Sequence, residues 1–126
     1  MAVHVFDCEE GAVPLPLIAK RARLVVWPGT GSTTANMNYV EMEPGEENVP
    51  HAHPESEDTI FIVSGRGTVY DYDNEVEHEI RAEHVVHVPA GVVHAVRADQ
   101  GVAILSVGGP CPTDYHMLEK MQVEVP

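Results

Sequence analysis
The feature that most limits the possible fold is a series of short β-type runs separated by glycine, proline and asparagine. The run Thr59–Val63 ends at a Ser-Gly-Arg-Gly turn, and Thr68–Tyr72 follows it as a hairpin partner. Glu75–Ile80 alternates polar and apolar residues, as a strand with one buried face does. The predicted strands are residues 23–27, 37–42, 59–63, 68–72, 75–80, 85–88, 94–96 and 102–107. Short strands in such a series predict an all-β sandwich or barrel.

The two ends of the chain depart from this pattern. Pro14 and Pro16 interrupt any regular element near the start. Near the other end, Thr113 or Asp114 is placed to cap a helix over Tyr115–Met121. The apolar side of this segment predicts a short helix packed over one end of the β-structure.

Length and charge narrow the class of protein. With 126 residues the chain is long enough for one domain with a buried core and too short for two. A net charge of −13 opposes binding to phosphate backbones and anionic membranes, so nucleic-acid and membrane partners are not expected. The N-terminal residues lack the basic and apolar regions of a secretory signal, and a cytoplasmic location is therefore expected.

The two cysteines give no sign of a metal or redox motif. Cys8 and Cys111 lie near opposite ends of the chain, without a Cys-x-x-Cys spacing. We expect buried free thiols, with a disulfide between the ends as the lesser alternative.

Two histidines separated by one residue form the first half of a candidate site. Side chains alternate along a strand, so His51 and His53 would point to the same side and converge. Glu57 and Asp58 follow them closely. Imidazoles with a carboxylate on adjacent strands commonly hold zinc, iron, nickel, copper or manganese. The alternative interpretation is that both histidines are surface loop residues beside prolines.

A third histidine lies further along the chain. His94 follows a Pro-x-Gly turn at Pro89 and Gly91, which places it at the start of a strand after a tight bend. A lone histidine in that position is more often structural than a ligand. On the same β framework as His51 and His53, it could complete a site of three histidines and one carboxylate, with open positions for water or substrate.

These residues resemble the two motifs of the cupin superfamily, G-x5-H-x-H-x(3,4)-E-x6-G and G-x5-P-x-G-x2-H-x3-N. The first motif matches from Gly45 through the histidine pair to Gly65, and the second ends at His94, within a motif core of residues 45–98. The resemblance implies a jelly-roll β-barrel, here a single cupin domain over residues 1–126 with a short C-terminal helix. Such domains are often homodimers, and a homodimer is expected.

The resemblance also implies a metal inside the barrel. The implied ligands are His51, His53, Asp58 and His94. The implied cofactor is one divalent transition metal, with iron favoured and zinc, nickel, manganese or copper as alternatives, since affinity follows availability as much as the ligand set.

The carboxylate position departs from the family pattern. Counting back from Gly65 places Asp58 at that position, whereas counting forward from His53 places Glu57 there. Neighbouring residues in a strand face opposite sides, so only one of them can point inward, and strand register favours Asp58. Aspartate is one methylene shorter than glutamate, which would move the metal, loosen that bond or leave a three-histidine site.

Three further positions need interpretation. Glu83 stands where the second motif begins with glycine, so the turn there is expected to use another conformation. Ala98 replaces the closing asparagine, so its side chain offers no hydrogen bond. His87, in an apolar run, is interpreted as either a core histidine with satisfied hydrogen bonds or a pocket residue.

For function, the resemblance implies a metal-dependent enzyme acting on a small-molecule substrate, with a dioxygenase favoured. Isomerases, cyclases, lyases and decarboxylases of the same fold are alternatives, with Glu57 or His87 as candidate bases. A non-catalytic small-molecule-binding cupin is a further alternative, because a fold alone does not settle function. The intact histidine triad argues against a metal-free module.

Overall fold
The computed structural model describes residues 2–126, which fold mainly into β-strands. Their bounds are β1 (Val13–Pro14), β2 (Arg21–Val26), β3 (Met37–Met42), β4 (Glu57–Ser64), β5 (Arg66–Asp71), β6 (Val76–Arg81), β7 (Val85–Val88), β8 (His94–Ala98) and β9 (Ile104–Cys111). A 3-10 turn covers Pro28–Thr30, and helix α1 covers Tyr115–Lys120. The strands form two antiparallel sheets, in the orders β1-β2-β3-β9-β4-β7 and β6-β5-β8. The predicted all-β jelly-roll barrel with a short C-terminal helix is confirmed.

Alternation of side chains along the strands separates the barrel interior from its surface. In β3, every second residue from Asn38 onward is buried, and in β4 Asp58 and Ile62 point inward. The inner faces of the two sheets meet in an apolar core. Its buried aliphatic members include Leu24, Val40, Ile62, Val96, Ile104 and Leu118. Burying an aliphatic side chain of this size stabilises the fold by roughly 1.5–3 kcal/mol.

Strand β9 is longer than the sequence suggested. It continues beyond Val107, where the predicted strand ends, and pairs with both β3 and β4. The Gly-Gly-Pro sequence after Val107 is typical of a turn, which explains the error. Here Gly108 has a φ of +126°, and a Cβ at that position would lie 2.0 Å from the carbonyl oxygen of Thr59. Only glycine allows β9 to pass this close to β4.

The N-terminal region contains a strand where none was expected. Residues Val13 and Pro14 pair with Leu24 and Arg23 of β2 at the edge of the larger sheet. A proline is tolerated at a sheet edge because its missing N–H removes no ladder hydrogen bond. The prediction that the prolines exclude any regular element is therefore wrong over these two residues.

The end of the chain folds as predicted. Helix α1 is capped by Asp114, whose side chain accepts a hydrogen bond from the Met117 N–H, and Leu118 anchors the helix in the core. Among residues 2–126, no helix has the length and apolar character to cross a membrane. Cys8 and Cys111 are both free, as expected, but Cys111 is exposed, so the prediction of a buried thiol is wrong there.

The turn before β7 keeps a left-handed conformation despite its glutamate. Glu83 has a φ of +71°, and its N–H donates to the carbonyl oxygen of Ile62 at 2.8 Å. The expectation that this turn uses another conformation is wrong. A non-glycine residue with a left-handed backbone costs roughly 1–2 kcal/mol. The hydrogen bond and the packing of the neighbouring strands offset this cost and hold the turn in place.

Candidate metal centre
Main-chain hydrogen bonds clamp the two histidine-bearing segments together. His51 and His94 each donate an N–H to the carbonyl oxygen of the other, at 3.0 and 2.9 Å. The N–H of Gly91 donates to the carbonyl oxygen of His53 at 2.9 Å, and Gly91 has a φ of +83°, which favours glycine. The Pro-x-Gly turn therefore holds His94 against the His-x-His segment. His51 and His94 form an isolated antiparallel bridge, and the His-x-His segment lies outside the named strands.

The structure brings all four predicted site residues together. One nitrogen or oxygen of each of His51, His53, Asp58 and His94 lies within 4.8 Å of the others, so the group could hold a metal ion. The centroids of the three imidazole rings are 4.4–5.4 Å apart. His53 and His94 are each only 2% exposed, and His51 is half-buried. This burial excludes the alternative that His53 is a surface loop residue.

Strand register decides which carboxylate faces the histidines. The second residue of β4, Asp58, is 4% exposed, and its Oδ2 lies 3.2 Å from Nε2 of His53 and 3.3 Å from Nε2 of His94. Its neighbour Glu57 faces the outside, where its side chain is 64% exposed. The shorter aspartate therefore reaches the histidines.

Hydrogen bonds at the Nδ1 atoms orient all three imidazole rings. Nδ1 of His51 lies 2.7 Å from the carbonyl oxygen of Val49, and Nδ1 of His94 lies 2.9 Å from that of Val92. A carbonyl oxygen only accepts, so these Nδ1 atoms carry the proton and donate it. The Nε2 lone pair of His51 then faces the cluster, in the form that metals bind. Nε2 of His94 faces Oδ2 of Asp58 at 3.3 Å.

Two atoms of the cluster have no hydrogen-bond partner among residues 2–126. Nε2 of His53 is fully buried, and its 3.2 Å contact with Asp58 is too poorly aligned for a hydrogen bond. Oδ1 of Asp58 is buried and unpartnered as well. Leaving a buried polar group unsatisfied costs about 1–3 kcal/mol, and more for a charged group. A cation between these atoms would satisfy both, so the residues present fit a metal ion.

Burial and mutual contact shift the pKa values within the cluster. Burial lowers the pKa of His51 to about 4, so this imidazole is neutral at physiological pH. Burial alone would raise the pKa of Asp58, but the close contacts with His53 and His94 and the charge of these rings outweigh burial and lower the pKa. The neutral His51 and the ionised Asp58 are both in the protonation states that metal binding needs.

A second buried carboxylate contacts the cluster. Oδ2 of Asp114, just before α1, lies 2.7 Å from Nδ1 of His53, and the side chains are 3% and 2% exposed. Burial alone would lower the pKa of His53, but the hydrogen bond with Asp114 and the nearby Asp58 raise it. Burial would raise the pKa of Asp114, and the hydrogen bond from His53 lowers it. Sequence reasoning treated Asp114 only as a helix cap, because no motif spacing links it to a histidine 61 residues away.

The cluster opens into a cavity inside the barrel. Its volume is about 50 Å³, room for a few water molecules or a small organic group. Most of its wall is apolar, but Asn38, Asn48 and Ser106 also line it. Asn48 is held by hydrogen bonds with Val96 and Ile18, whereas Oδ1 of the buried Asn38 has no partner. These polar residues were not recognised from the sequence, since a single Asn or Ser in a strand carries no signal.

His87 lies outside this site. It is on the outer face of β7, its side chain is 54% exposed, and its Nε2 contacts Oε1 of Glu57 at 2.7 Å. Both interpretations of His87, as a core histidine or as a pocket residue, are therefore wrong. The same outward position excludes Glu57 and His87 as bases in the cavity. The apolar run around His87 was misleading because its valines at 86 and 88 face inward, whereas His87 lies between them on the exposed outer face.

The comparison with sequence relatives gives low identities over part of the chain. Oxalate oxidase 2 from Hordeum vulgare is 28% identical over 74 residues, which cover 54% of this chain and 33% of that protein. A germin-like protein of subfamily T from Arabidopsis thaliana is 27% identical over 86 residues, covering 66% and 39%. The chain spans about a third of the length of these curated relatives.

A solved structure has the same architecture as this chain, and a family model matches its sequence. A Klebsiella pneumoniae protein with a double-stranded β-helix domain has a TM-score of 0.66 at 16% identity, covering 88% of this chain and 91% of that one. The structural likeness shows the fold alone. The family model described as the cupin domain matches residues 38–108, more than half of the chain. The two motifs, the jelly-roll barrel and this match together show that the chain belongs to the cupin domain family.

Proposed function
We propose that the protein is a metal-dependent cupin enzyme that uses dioxygen to oxidise a small organic molecule, with a dioxygenase favoured. The observation that carries the proposal is the convergence of four potential ligands around two orphaned buried atoms, Nε2 of His53 and Oδ1 of Asp58. Packing alone does not explain such a group, because its polar atoms are desolvated without being satisfied.

The donor set indicates the kind of metal. The proposed ligands are His51, His53, Asp58 and His94, which offer imidazole nitrogens and one carboxylate oxygen but no thiolate. Nitrogen and oxygen donors of this kind suit divalent iron, and also manganese, nickel, copper(II) and zinc. When bound with open positions, such a metal supplies Lewis acidity and, for iron, redox chemistry with dioxygen. The net charge of −13 favours a cation at the site.

The protein's own residues define what could bind beside the metal. The cavity is small and mostly apolar, with Ile60 and Val96 among its walls, and these side chains offer no hydrogen bonds to water. Asn38 and Ser106 provide hydrogen-bonding groups on β3 and β9 within the same cavity. The expected substrate is therefore a compact molecule with oxygen donors for the metal and one further polar group. An apolar cavity wall with few polar groups is typical of such sites.

The sequence relatives support oxidation chemistry among the alternatives. Oxalate oxidase 2 resembles this chain at 28% identity, and the match includes only a third of that protein. Its name supports an oxidoreductase but does not supply a substrate for this chain. An isomerase, cyclase or lyase that uses the same metal site, and a non-catalytic binder, are outcomes that the tests below separate. The homodimer and the cytoplasmic location stay predictions.

The first test measures metal content. The purified protein and its His51→Ala variant are supplied in parallel with iron, zinc, nickel, manganese and copper, desalted and analysed for bound metal. We expect about one ion per chain in the wild type and a large loss in the variant. His87→Ala is the matched control, because this histidine pairs with a carboxylate on the outer surface. A wild type that retains none of these metals would contradict the proposal.

The second test separates the reaction classes. Oxygen consumption by the iron form is followed with a panel of small enolisable and hydroxylated carboxylic acids and aromatic compounds. Consumption that needs both substrate and iron supports the oxygenase. Conversion of a substrate without oxygen consumption would replace it with an isomerase, cyclase or lyase. Tight substrate binding without turnover would favour a binding module.

A further inference from the structure
The contact between Asp114 and His53 joins the end of the chain to the candidate metal centre. Oδ2 of Asp114 and Nδ1 of His53 are 2.7 Å apart, and both side chains are almost completely buried. Hydrogen bonds to a charged group at this distance are about twice as strong as neutral ones. Nothing in the two cupin motifs includes residue 114, which follows β9.

The position of Asp114 is fixed by its surroundings. Its Oδ1 accepts a hydrogen bond from the N–H of Met117, so the two carboxylate oxygens serve different partners. Ser56 donates to the carbonyl oxygen of Pro112 at 2.7 Å, and Thr113 donates to Oδ1 of Asn36 at 2.8 Å. These bonds hold the segment before α1 against the barrel. Asp114 therefore meets His53 in one orientation.

The three histidines differ in what their Nδ1 atoms contact. His51 and His94 bond to main-chain carbonyl oxygens, those of Val49 and Val92, which no substitution removes. His53 bonds to a side chain. A carboxylate partner fixes the tautomer and ring orientation of a metal-binding histidine and makes its other nitrogen a stronger ligand. His53 is also the histidine whose Nε2 is buried without a partner.

We propose that Asp114 is a positioning residue that holds His53 with its Nδ1–H bonded to the carboxylate and its Nε2 directed at the metal. The inference rests on the proposed metal site and extends it beyond the two motifs. By this inference the C-terminal segment becomes part of the metal centre. The side chain that caps α1 also determines how strongly His53 binds the metal. Losing a partner of this kind weakens metal binding by about 10- to 100-fold.

Three variants separate this role from a structural one. Serine at position 114 is a good helix cap but is too short to reach His53, and asparagine also caps well. When the asparagine oxygen caps α1, its NH2 group faces Nδ1 of His53, which favours the tautomer with the proton on Nε2. The control is Leu118→Ala, which removes the buried anchor of α1 and leaves the contact between Asp114 and His53 in place.

The experiment measures the dissociation constant for Fe(II), anaerobically and against a competing chelator, together with the melting temperature of each metal-free protein. Asp114→Ser and Asp114→Asn are expected to raise the Kd by about 10- to 100-fold. Leu118→Ala is expected to lower the melting temperature and leave the Kd close to the wild-type value. In the Zn(II)-loaded wild type, nitrogen-edited NMR should detect a proton on Nδ1 of His53, and its signal should shift in Asp114→Asn.

The outcomes distinguish the two proposals. Wild-type affinity in both position-114 variants would overturn the positioning role and leave the metal site standing. An equal loss of affinity in Leu118→Ala would assign the effect to general destabilisation and overturn the role as well. A wild type that binds neither Fe(II) nor Zn(II) would refute the metal site itself, and the positioning role with it.

Discussion

Strand β4 carries two adjacent carboxylates, and each of them contacts a histidine on its own face of the sheet. On the inner face, Asp58 lies 3.2 and 3.3 Å from the imidazoles of His53 and His94, and all three side chains are at most 6% exposed. On the outer face, Glu57 lies 2.7 Å from His87, and these side chains are 64% and 54% exposed. The outer contact is the shorter one, yet the inner group forms the candidate site.

The difference indicates that burial, and not a short contact between two side chains, makes a group of side chains suitable for binding a metal. Water and salt screen the outer pair, and the side-chain entropy lost on pairing offsets most of its attraction, so exposed pairs contribute about 0.2–1 kcal/mol. The inner group is almost completely shielded from bulk solvent, and its rings are fixed by hydrogen bonds at Nδ1. An ion that enters the inner group meets ligands that are already oriented, whereas the outer pair would have to be immobilised first.

The largest expected effect comes from removing one histidine from each face. His53→Ala is expected to weaken metal binding by more than about 100-fold, because it removes a proposed ligand and leaves Oδ2 of the buried Asp114 without its hydrogen-bond partner. His87→Ala is expected to leave metal affinity unchanged. Metal titration of both variants and the wild type checks this. Similar losses in the two variants would abolish the distinction between the faces.

The second-largest expected effect is that of metal binding on the free energy of unfolding. A metal that binds only the folded protein should raise the free energy of unfolding by about 2.7 kcal/mol at a free concentration of 100 times the Kd. The same addition should have little effect on His53→Ala. Denaturant unfolding with and without Fe(II), under anaerobic conditions, measures both values. A metal-induced gain of equal size in His53→Ala would show that the ion binds somewhere other than the buried cluster.

Exchanging each carboxylate for its amide tests the register of β4. Asp58→Asn is expected to weaken metal binding by about 10- to 100-fold, since a full charge near a cation is worth a few kcal/mol at an effective dielectric constant of 20. Glu57→Gln has the same chemistry on the outer face and should leave the affinity unchanged. Titration of both variants gives the comparison. A greater loss in Glu57→Gln would reverse the assignment of the carboxylate.

Much of this arrangement could be predicted from the sequence because it is local. The period-2 alternation in β4 distinguishes Asp58 from Glu57, and the Pro-x-Gly turn indicates where His94 begins a strand. These signals depend on residues close together in the chain. They therefore identified the histidines, the favoured carboxylate and most of the strands along the chain. The presence of a metal stays a prediction.

What could not be predicted depends on pairing between distant segments. Asp114 reaches His53 only because β9 pairs with β4 and places the following segment beside the histidines. His87 occupies an apolar run, yet it faces outward because it alternates with the inward Val86 and Val88 and pairs with the exposed Thr59 of β4. At Glu83, the sequence predicted a conformation other than the one that glycine favours. Glu83 nevertheless has a positive φ, because its hydrogen bond and the neighbouring strands hold the turn in place. In each case tertiary contacts override the local pattern.

The smallest expected effect is on the exposed contact between Glu57 and His87, and it tests the role of burial directly. A double-mutant cycle with Glu57→Gln and His87→Ala is expected to give a coupling energy of about 0.2–1 kcal/mol in denaturant unfolding, the range of exposed pairs. If the coupling energy of this 2.7 Å contact exceeds about 2 kcal/mol, exposure does not weaken it as argued. Distance would then compete with burial as the property that separates the two faces of β4. A small value leaves burial as the property that makes the inner group, and not the outer pair, suitable for a metal.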